Sequence, residues 1–429
     1  RIGESGRSET FFKHSYIAGV KDAEREVMLF TRSWLALPWQ VLQIADAYPD
    51  RFFVEIKYNG EQLGLPYHAM TYNRRGTAPS YTYENYTDWP RNYKIIWQIR
   101  SNGTHRLFRW GDPDFAQRTM GTVQFASGAG FTMEPMTSYY PMTDYYFKPE
   151  LGYDFFTWDH QRNWFWYMLW GRLSYDNDTP DEVWLNRFEQ RFGEAGADTF
   201  EAVEWMSHIV PLVYSWRCLG PDHRNMAPEY ETGGSIEAFT ENFPLDPRSI
   251  YSIEEYVNHY LYNDPLLDTK LDPFTAADLL DDYADKAAAA YSAAAEKAGP
   301  ANTEFESLGV ELEMLTHLAR YYSNKIRASV YYEFYKQKRT YPELQWAKKY
   351  TADAHAAWDA LSETGLDHFR PILDTLRVRK HVHKNTFTWA ELKPQLEEDA
   401  ELLAEAQKDS QKRMDGRDLK IYHLPAYAA

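Results

Sequence analysis

One segment is typical of a buried strand that ends in a cluster of charge: Arg51-Phe-Phe-Val-Glu-Ile-Lys-Tyr-Asn-Gly-Glu61. Aromatic and β-branched residues are frequent up to Tyr58, as they are in strands. Glu55 and Lys57 share one face by the two-residue period, and Glu61 follows an Asn-Gly turn. Charges on an inward face are costly unless a site uses them or a partner pairs them. Because barrel enzymes place catalytic groups at such strand ends, we predict a functional site here.

The segments around this strand alternate between strand and helix over the first ~140 residues, which indicates an α/β fold with parallel strands. The sequence predicts strands at 26–34, 51–58 and 93–100, a further strand that begins at 121–126 and ends near Glu134, the end of an earlier strand at 1–6, and helices at 9–21, 38–48 and 112–120. Five strands are too few for a closed barrel, which needs roughly 250 residues. We therefore predict a (β/α)8-type barrel of which only the C-terminal strands lie in this chain, the first three preceding Arg1. The alternative is an open doubly wound sheet, but the sequence has no Gly-rich phosphate loop to support it.

The remainder of the chain is predicted to be mainly helical. With 429 residues the chain exceeds what one core usually holds, so we expect two domains: the barrel part at 1–157 and an α-helical domain at 158–429. An Ala-rich helix is predicted at 275–297 and stops at a Gly-Pro pair, and an apolar stripe from Leu308 to Val330 predicts the next helix. The short connection predicts that these two helices are antiparallel neighbours.

Composition excludes several classes of function. The net charge of −17 argues against nucleic acid as a partner, because phosphate binding needs a basic surface. Cys218 is the single cysteine, so neither an intrachain disulfide nor a thiolate metal site is expected. We predict no metal and no cofactor, and no apolar run approaches the ~20 residues of a membrane span. The chain does not begin with Met, so a targeting segment could precede it; a periplasmic or secreted location is favoured and a cytoplasmic one stays open.

The high aromatic content of 17% has two interpretations: stacking on sugar rings, or simple filling of cores and interfaces. We favour stacking only near strand ends, where polar residues also gather. By strand periodicity, inward-facing cations and carboxylates converge there with aromatic side chains. The predicted substrate-binding residues are Arg32, Trp34, Glu55, Lys57, Tyr58, Arg100, Asn102, Arg106, Trp110 and Glu134.

Two carboxyl groups are the candidate catalytic pair. Glycoside hydrolysis needs one carboxyl that stays protonated and a second that stays ionised. Glu4 lies between small residues at a strand end, and Glu61 lies beyond Lys57, which favours its ionised form. The alternative is that both are structural salt-bridge partners. Likewise Arg32, Lys57 and Arg100 either clamp an acidic substrate group or neutralise inward carboxylates; three cations on adjacent strands favour the clamp.

Four stretches resemble the microbial α-glucuronidases, which remove glucuronic acid from xylan. These stretches are Glu4-Ser-Gly6, Val27-Met-Leu-Phe-Thr-Arg-Ser-Trp34, Glu55-Ile-Lys-Tyr-Asn-Gly60 and Trp170-Gly-Arg-Leu-Ser-Tyr-Asp-Asn-Asp178. The resemblance implies a catalytic barrel followed by a helical domain. It also implies that Glu4 is the general acid, that Arg32 and Lys57 hold the sugar carboxylate, and that Glu61 helps to activate water. The chain departs from that family in one place, because Gln98-Ile-Arg-Ser-Asn-Gly103 offers no second catalytic carboxylate after the next strand.

The sequence therefore predicts an exo-acting glycoside hydrolase that removes a uronic-acid-type or other anionic sugar from a polysaccharide or oligosaccharide. Two other classes stay open. A non-catalytic carbohydrate-binding protein could use the same aromatic and cationic cleft without chemistry. A polysaccharide lyase would use the cations to hold a uronate carboxylate while a base removes the adjacent proton. Homodimerisation through the Trp- and Tyr-rich helical domain is compatible with the composition.

Overall fold

A four-stranded parallel sheet lies at the start of the chain. The structure is a computed structural model, and it describes residues 2, 5–33, 36–49, 51–59, 64–68, 83–87, 90–99, 107–134, 147–216, 228–229, 231–240, 244–299, 302–373 and 386–415. The strands pair in sequence order, so each strand lies beside the next one along the chain. They are β1 (Leu29–Arg32), β2 (Phe52–Lys57), β3 (Lys94–Ile99) and β4 (Gly128–Met133). A two-stranded antiparallel pair comprises β5 (Ile372–Leu373) and β6 (Thr386–Phe387).

Three of these strands fall within their predicted segments, and the fourth differs at its start. The predicted start at 121–126 is wrong, because β4 begins only at Gly128, whereas its end at Met133 agrees with the predicted end near Glu134. The preceding residues turn the chain after a helix: Thr122 N–H donates to the Thr119 carbonyl, and Ala126 has a left-handed φ of 53°. Left-handed backbone cannot continue a strand. At the start of the chain, the sequence predicts the end of a strand at 1–6. The described residues of this segment lie in turns.

One face of the sheet is buried in the main core, and the other is open at the outer strands β1 and β4. Residues 52, 54 and 56 of β2 and residues 95, 97 and 99 of β3 are buried in the main core. The same core includes Val41 and Ile44 of the following helix. Alternate residues at β1 point to the opposite side, where Met28 and Phe30 keep 62% and 55% of their surface exposed. An apolar face left open in this way is typical of a surface that another segment covers.

Helices account for most of the remaining described residues. Around the sheet they are α1 (Glu9–Phe12), α2 (Ala18–Asp22), α3 (Pro38–Ala47) and α4 (Pro113–Gly121), with a π-helical turn at Lys13–Ile17. Beyond the sheet they are α5 (Asp159–Arg162), α6 (Trp164–Tyr175), α7 (Glu182–Phe192), α8 (Gly196–Trp216), α9 (Ile236–Thr240), α10 (Ile253–Tyr262), α11 (Pro273–Lys297), α12 (Thr303–Lys338), α13 (Tyr341–His368) and α14 (Pro394–Asp415). In the described part of the chain, no helix is long and apolar enough to cross a membrane.

The Ala-rich helix α11 and the long helix α12 are antiparallel, as the sequence predicts. Asp272 starts α11 by accepting the Thr275 N–H at 3.0 Å, which is a standard helix cap. Arg320 of α12 pairs with Asp285 of α11, and Arg327, further along α12, pairs with Asp278, which is earlier in α11. Contacts that run in opposite directions along the two chains define antiparallel packing.

The sheet and the helices share one hydrophobic core. Its buried residues run from the sheet through α6 and α8 to α12 and α13 without a break at residue 157. The architecture is therefore an α/β sheet joined to an extensive helical region. The described strands form an open sheet and not a closed barrel, and the division into domains at 157/158 stays a prediction.

Candidate functional site

Polar side chains gather at the carboxyl ends of the parallel strands, on the uncovered face. In the ladder Arg32 lies opposite Glu55, and Lys57 lies opposite Gln98. Gln98 in turn lies opposite Thr132 on β4. Strand periodicity places all of these side chains on the face that also carries Phe30. The row therefore crosses all four strands at one edge of the sheet, and we call it the carboxyl-edge row.

Arg32 links three of these strands. Its Nε lies 2.8 Å from Glu55 Oε2, and its Nη2 donates to Gln98 Oε1 at 2.5 Å. The side chains of Arg32 and Glu55 are only 19% and 15% exposed, so water screens the pair less than it would at an open surface. In the described part of the chain no residue bonds Nη1 of Arg32, so the planar guanidinium keeps N–H donors for a further anion.

Glu55 is fixed on both of its oxygens. Oε2 receives Arg32, and Oε1 accepts a hydrogen bond from Thr132 Oγ1 at 2.9 Å. A carboxylate held in this way is a partner that orients the guanidinium, because both of its oxygens are already bonded. Glu55 is thus placed to orient Arg32, and in both of its contacts it acts as an acceptor.

An apolar floor adjoins the charged groups. The rings of Phe30 and Phe53 stack with centroids 5.1 Å apart, and the two residues are paired in the ladder shortly before Arg32 and Glu55. A cavity of about 270 Å³ lies over this region and is lined by Phe30, Thr31, Arg32 and Glu55. Phe53 is buried under Phe30, and the exposed ring of Phe30 beside a polar cluster suits a pyranose, which has both apolar ring faces and polar substituents.

Two further predicted site residues, Lys57 and Glu134, lie at the same edge. Lys57 and its ladder partner Gln98 are 2% and 6% exposed, so these two members of the row are buried. Glu134 follows β4 directly, and its backbone N–H donates to the Ile99 carbonyl at 3.2 Å. That bond extends the pairing of β3 and β4 and keeps Glu134 at the carboxyl edge.

Two predicted aromatic contacts lie in the core instead. Tyr58 is fully buried and its hydroxyl is hydrogen-bonded to Thr122; burial raises the pKa of this phenol above its ordinary value. Trp110 is 4% exposed, stacks on Trp170 at 5.8 Å, and donates its Nε1–H to the Ser207 carbonyl at 2.9 Å. The rings of Tyr58 and Trp110 are covered by protein, so neither ring offers a face to a sugar.

Six of the predicted residues lie outside the described residues. They are Glu4, Trp34, Glu61, Arg100, Asn102 and Arg106. The sequence alone assigns no site role to Gln98 or Thr132. The strand period does place Gln98 on the inward face, and it places Thr132 in phase with Glu134. Within the described residues, no group of three or more His, Cys, Asp or Glu side chains could hold a metal ion.

Comparisons with known proteins show a likeness of fold. No family model matches this chain, and no curated protein matches its sequence. A solved structure described as a GH138 enzyme targeting pectin rhamnogalacturonan II superposes with a TM-score of 0.75 at 18% sequence identity. The match covers 95% of this chain but 60% of that protein, so this chain spans about three fifths of its length. The likeness shows a shared fold: an α/β sheet joined to a helical region, found also in a glycoside hydrolase.

Proposed function

We propose that this chain is part of a glycoside hydrolase that removes a uronic-acid-type or other anionic sugar from an acidic polysaccharide. The observation that carries the proposal is the position of Arg32, fixed by Glu55 and Gln98 beside an open cavity. A guanidinium with free N–H donors is well suited to bind a carboxylate in two parallel hydrogen bonds. The stacked rings of Phe30 and Phe53 would take the apolar face of the same sugar.

The structural neighbour supports the same class of substrate. The target named for it, pectin rhamnogalacturonan II, is an acidic polysaccharide, and the resemblance of the sequence to α-glucuronidases also implies a uronate. A glycosidase that acts at a chain end would need one strong contact to the terminal anionic sugar. In this proposal Arg32 provides that contact, and Lys57, Arg100, Asn102 and Arg106 add polar contacts from the neighbouring strand ends and loops.

The sheet would belong to a larger barrel. We propose that β1 to β4 are the C-terminal strands of a (β/α)8 barrel whose other strands lie outside this chain. The exposed side chain of Met28, which precedes Phe30 on the same face, supports this, because barrel interiors are filled by side chains from all strands. In such a barrel the carboxyl-edge row would lie at the end where barrel enzymes bind their substrates.

The chemistry would follow single displacement by two carboxyl groups. Glu4 would donate a proton to the leaving oxygen, and Glu61 would activate water on the opposite side of the sugar. Inverting enzymes keep these groups roughly 6.5–9.5 Å apart, which leaves room for that water. Glu55, already bonded to Arg32 and Thr132, would hold the anion-binding side chain in place.

A release assay tests the proposal. The protein with its natural flanking sequence is incubated with pectins, including rhamnogalacturonan II, and with glucuronoxylan, and anion-exchange chromatography measures the free acidic sugar. We expect one acidic monosaccharide, lost by at least ~10³-fold in Glu4→Gln while binding persists. Binding without any release would favour the carbohydrate-binding protein, and an unsaturated product that absorbs ultraviolet light would favour the lyase. Full activity of Glu4→Gln would refute the assignment of the acid.

A further inference from the structure

Three aromatic rings on α12 and α13 form a slab at the surface of the helical region. The ring centroids of Tyr331 and Tyr350 are 5.7 Å apart with planes 8° apart, and Trp346 lies 6.0 Å from each of them at 27°. Because the three distances are nearly equal, the rings cannot lie one above another in a single column. Their near-parallel planes make the ring faces point in nearly the same direction. Trp346 is the most open of the three, with 45% of its surface exposed.

The two helices hold the aromatic slab in a fixed position. Trp346 and Tyr350 are four residues apart on α13, so they share one face of that helix. The ring of Tyr331 also meets the ring of Phe274 edge-on at 5.6 Å. Tyr331 and Tyr350 pack against a second, smaller hydrophobic cluster that contains no residue of the sheet. The slab is therefore a feature of the helical region, separate from the carboxyl-edge row.

The polar edges of these rings keep their hydrogen-bonding capacity. Within the described residues, neither the hydroxyl groups of Tyr331 and Tyr350 nor the indole N–H of Trp346 has a hydrogen-bond partner, and none of the three is enclosed. Burial and the neighbouring Tyr350 phenol raise the pKa of Tyr331, so its hydroxyl keeps its proton at neutral pH. Two hydroxyl groups and one N–H thus stay available to a ligand that carries hydroxyl groups of its own.

The charges beside the aromatic slab are balanced. The guanidinium carbon of Arg327 is 6.0 Å from the centre of the Tyr350 ring, and this guanidinium pairs with two carboxylates of α11, at 2.5 and 2.8 Å. The ammonium of Lys349, 4.7 Å from the centre of the same ring, pairs with Asp353 at 2.8 Å. Both cations are therefore already neutralised, in contrast to the open donors of Arg32. The surface suits a neutral hydroxylated ring better than an anionic one.

A second copy of this chain suits the surface less well. The core of a protein–protein interface is depleted of charged residues, and each partner contributes about 800 Å². Here charged side chains border the three rings, and an apolar partner would leave the phenol and indole groups without hydrogen bonds. A pyranose offers an apolar face to the rings and hydroxyl groups to their edges.

We infer that Tyr331, Trp346 and Tyr350 form a second carbohydrate-binding site, which takes neutral pyranose units of a polysaccharide. Trp346 provides the open ring face, and the two tyrosines provide hydroxyl groups. The site differs from the one at Arg32, because it would hold a polymer by its neutral part. That this polymer is the one that the enzyme cleaves rests on the proposed function; the binding itself does not.

Native affinity electrophoresis tests the site. The protein with its natural flanking sequence is run in gels that contain galactan, xyloglucan or galactomannan, which are neutral polymers of pyranose units. At least one of them should retard the wild type, and Trp346→Ala should weaken that binding at least tenfold. Trp346→Phe, which keeps a ring face, should retain most of it. Trp39→Ala is the matched control, because Trp39 is 49% exposed but makes no ring contact among the described residues; its retardation should equal that of the wild type.

The contrary results are distinct. No retardation by any of the neutral polymers, or an equal loss in Trp346→Ala and Trp39→Ala, would overturn the inference. Sedimentation that shows a wild-type dimer and a monomeric Trp346→Ala variant would assign the surface to a second copy of the chain instead. If the wild type releases no acidic sugar, the proposed function fails; retardation that depends on Trp346 would then still support the second site and remove its link to cleavage.

Discussion

The two edges of the parallel sheet carry the same ion pair in different surroundings. At the carboxyl edge Arg32 and Glu55 are 19% and 15% exposed; at the amino edge Arg51 and Glu26 are 40% and 85% exposed. The distances are similar, at 2.8 and 2.6 Å. An exposed pair contributes little free energy, whereas a pair removed from water must be compensated by further bonds. Among the described residues, the carboxyl-edge pair has these bonds, to Gln98 and Thr132, and the proposed anion site rests on this difference.

The connections at the two edges differ in the same way. At the carboxyl edge, Tyr67 and Leu107, which follow β2 and β3, are bonded to distant residues: Tyr67 to Asp246 and Leu107 to Glu229. At the amino edge, Tyr48 donates to the Val27 carbonyl at 2.8 Å, a contact between neighbouring connections. One edge is therefore held by the helical region and the other by local contacts. Matched substitutions at the carboxyl edge and the amino edge should therefore differ in their effects.

The largest effect is expected from removal of the cation at the carboxyl edge. Arg32→Gln should lower kcat/KM for release of the acidic sugar about 100-fold, because it removes a charge-assisted contact worth roughly 2–3 kcal/mol. Arg51→Gln, its counterpart at the amino edge, should lower kcat/KM less than about twofold, because an exposed pair contributes little. Steady-state kinetics of both variants on the same substrate give the comparison. Equal losses in the two variants would mean that Arg32 has only a structural role.

Much of this site could be predicted from strand periodicity. The alternation of residues places Arg32, Glu55 and Lys57 on inward faces, and the structure sets Arg32 directly opposite Glu55. Periodicity also explains Tyr58, which is one residue out of phase with Lys57 and lies on the helix-facing side. Local patterns are insufficient where burial depends on distant contacts. Trp110 is covered by α6 and α8, and no spacing near Trp110 in the sequence signals that.

The last strand shows a second limit of local patterns. Residues 121–126 contain apolar residues at the spacing of a strand, yet they follow a helix whose end must turn the chain back towards the sheet. The helix cap at Asp112 is readable in the sequence, since its side chain accepts the Phe115 N–H, but the length of the turn is not. The start of β4 is therefore predicted too early, whereas its end near Glu134 is predicted correctly.

A smaller effect is expected in the pH dependence of the free energy of unfolding, through a histidine in the connection that follows β2. His68 packs on Trp97 and Phe125, and burial, together with the charge of Arg248, lowers the pKa of His68 to about 4. Below about pH 6.5 the unfolded chain therefore binds a proton that the folded His68 does not. Stability from this group is lost as the pH falls from about 6.5 towards 4, by about 2 kcal/mol at pH 5.

Denaturant titrations at about pH 7.5 and about pH 5 measure this contribution. The wild type should lose about 2 kcal/mol more than His68→Gln between the two values, because the variant lacks the titrating group. The amino edge has no counterpart of this contact among the described residues of β1 to β4. If both proteins lose the same stability, His68 does not stay neutral in the fold.

The smallest effect is expected from single hydroxyl groups at the two edges. Tyr67 Oη donates to Asp246 Oδ2 at 3.3 Å and lies 3.1 Å from Ser249 Oγ, and its carbonyl accepts a bond from Asn59 Nδ2 at 2.8 Å. Burial raises the pKa of Tyr67, so the phenol remains a donor at neutral pH. Tyr67→Phe should cost about 1 kcal/mol of stability. It should also lower kcat/KM roughly threefold, because the segment it anchors follows Glu61 closely in the chain.

Tyr48→Phe provides the control for this substitution, since it removes one hydroxyl hydrogen bond at the amino edge. Its stability should also fall by about 1 kcal/mol, but kcat/KM should stay the same. Melting temperature and kinetics, measured on both variants, separate the loss of a bond from the loss of an anchor. A Tyr67→Phe variant that is destabilised but fully active would show that the β2 connection does not need its contact with the helical region for catalysis. Anchoring by the helical region would then be confined to the connection after β3, which is bonded to the carboxylates of Glu229 and Glu311.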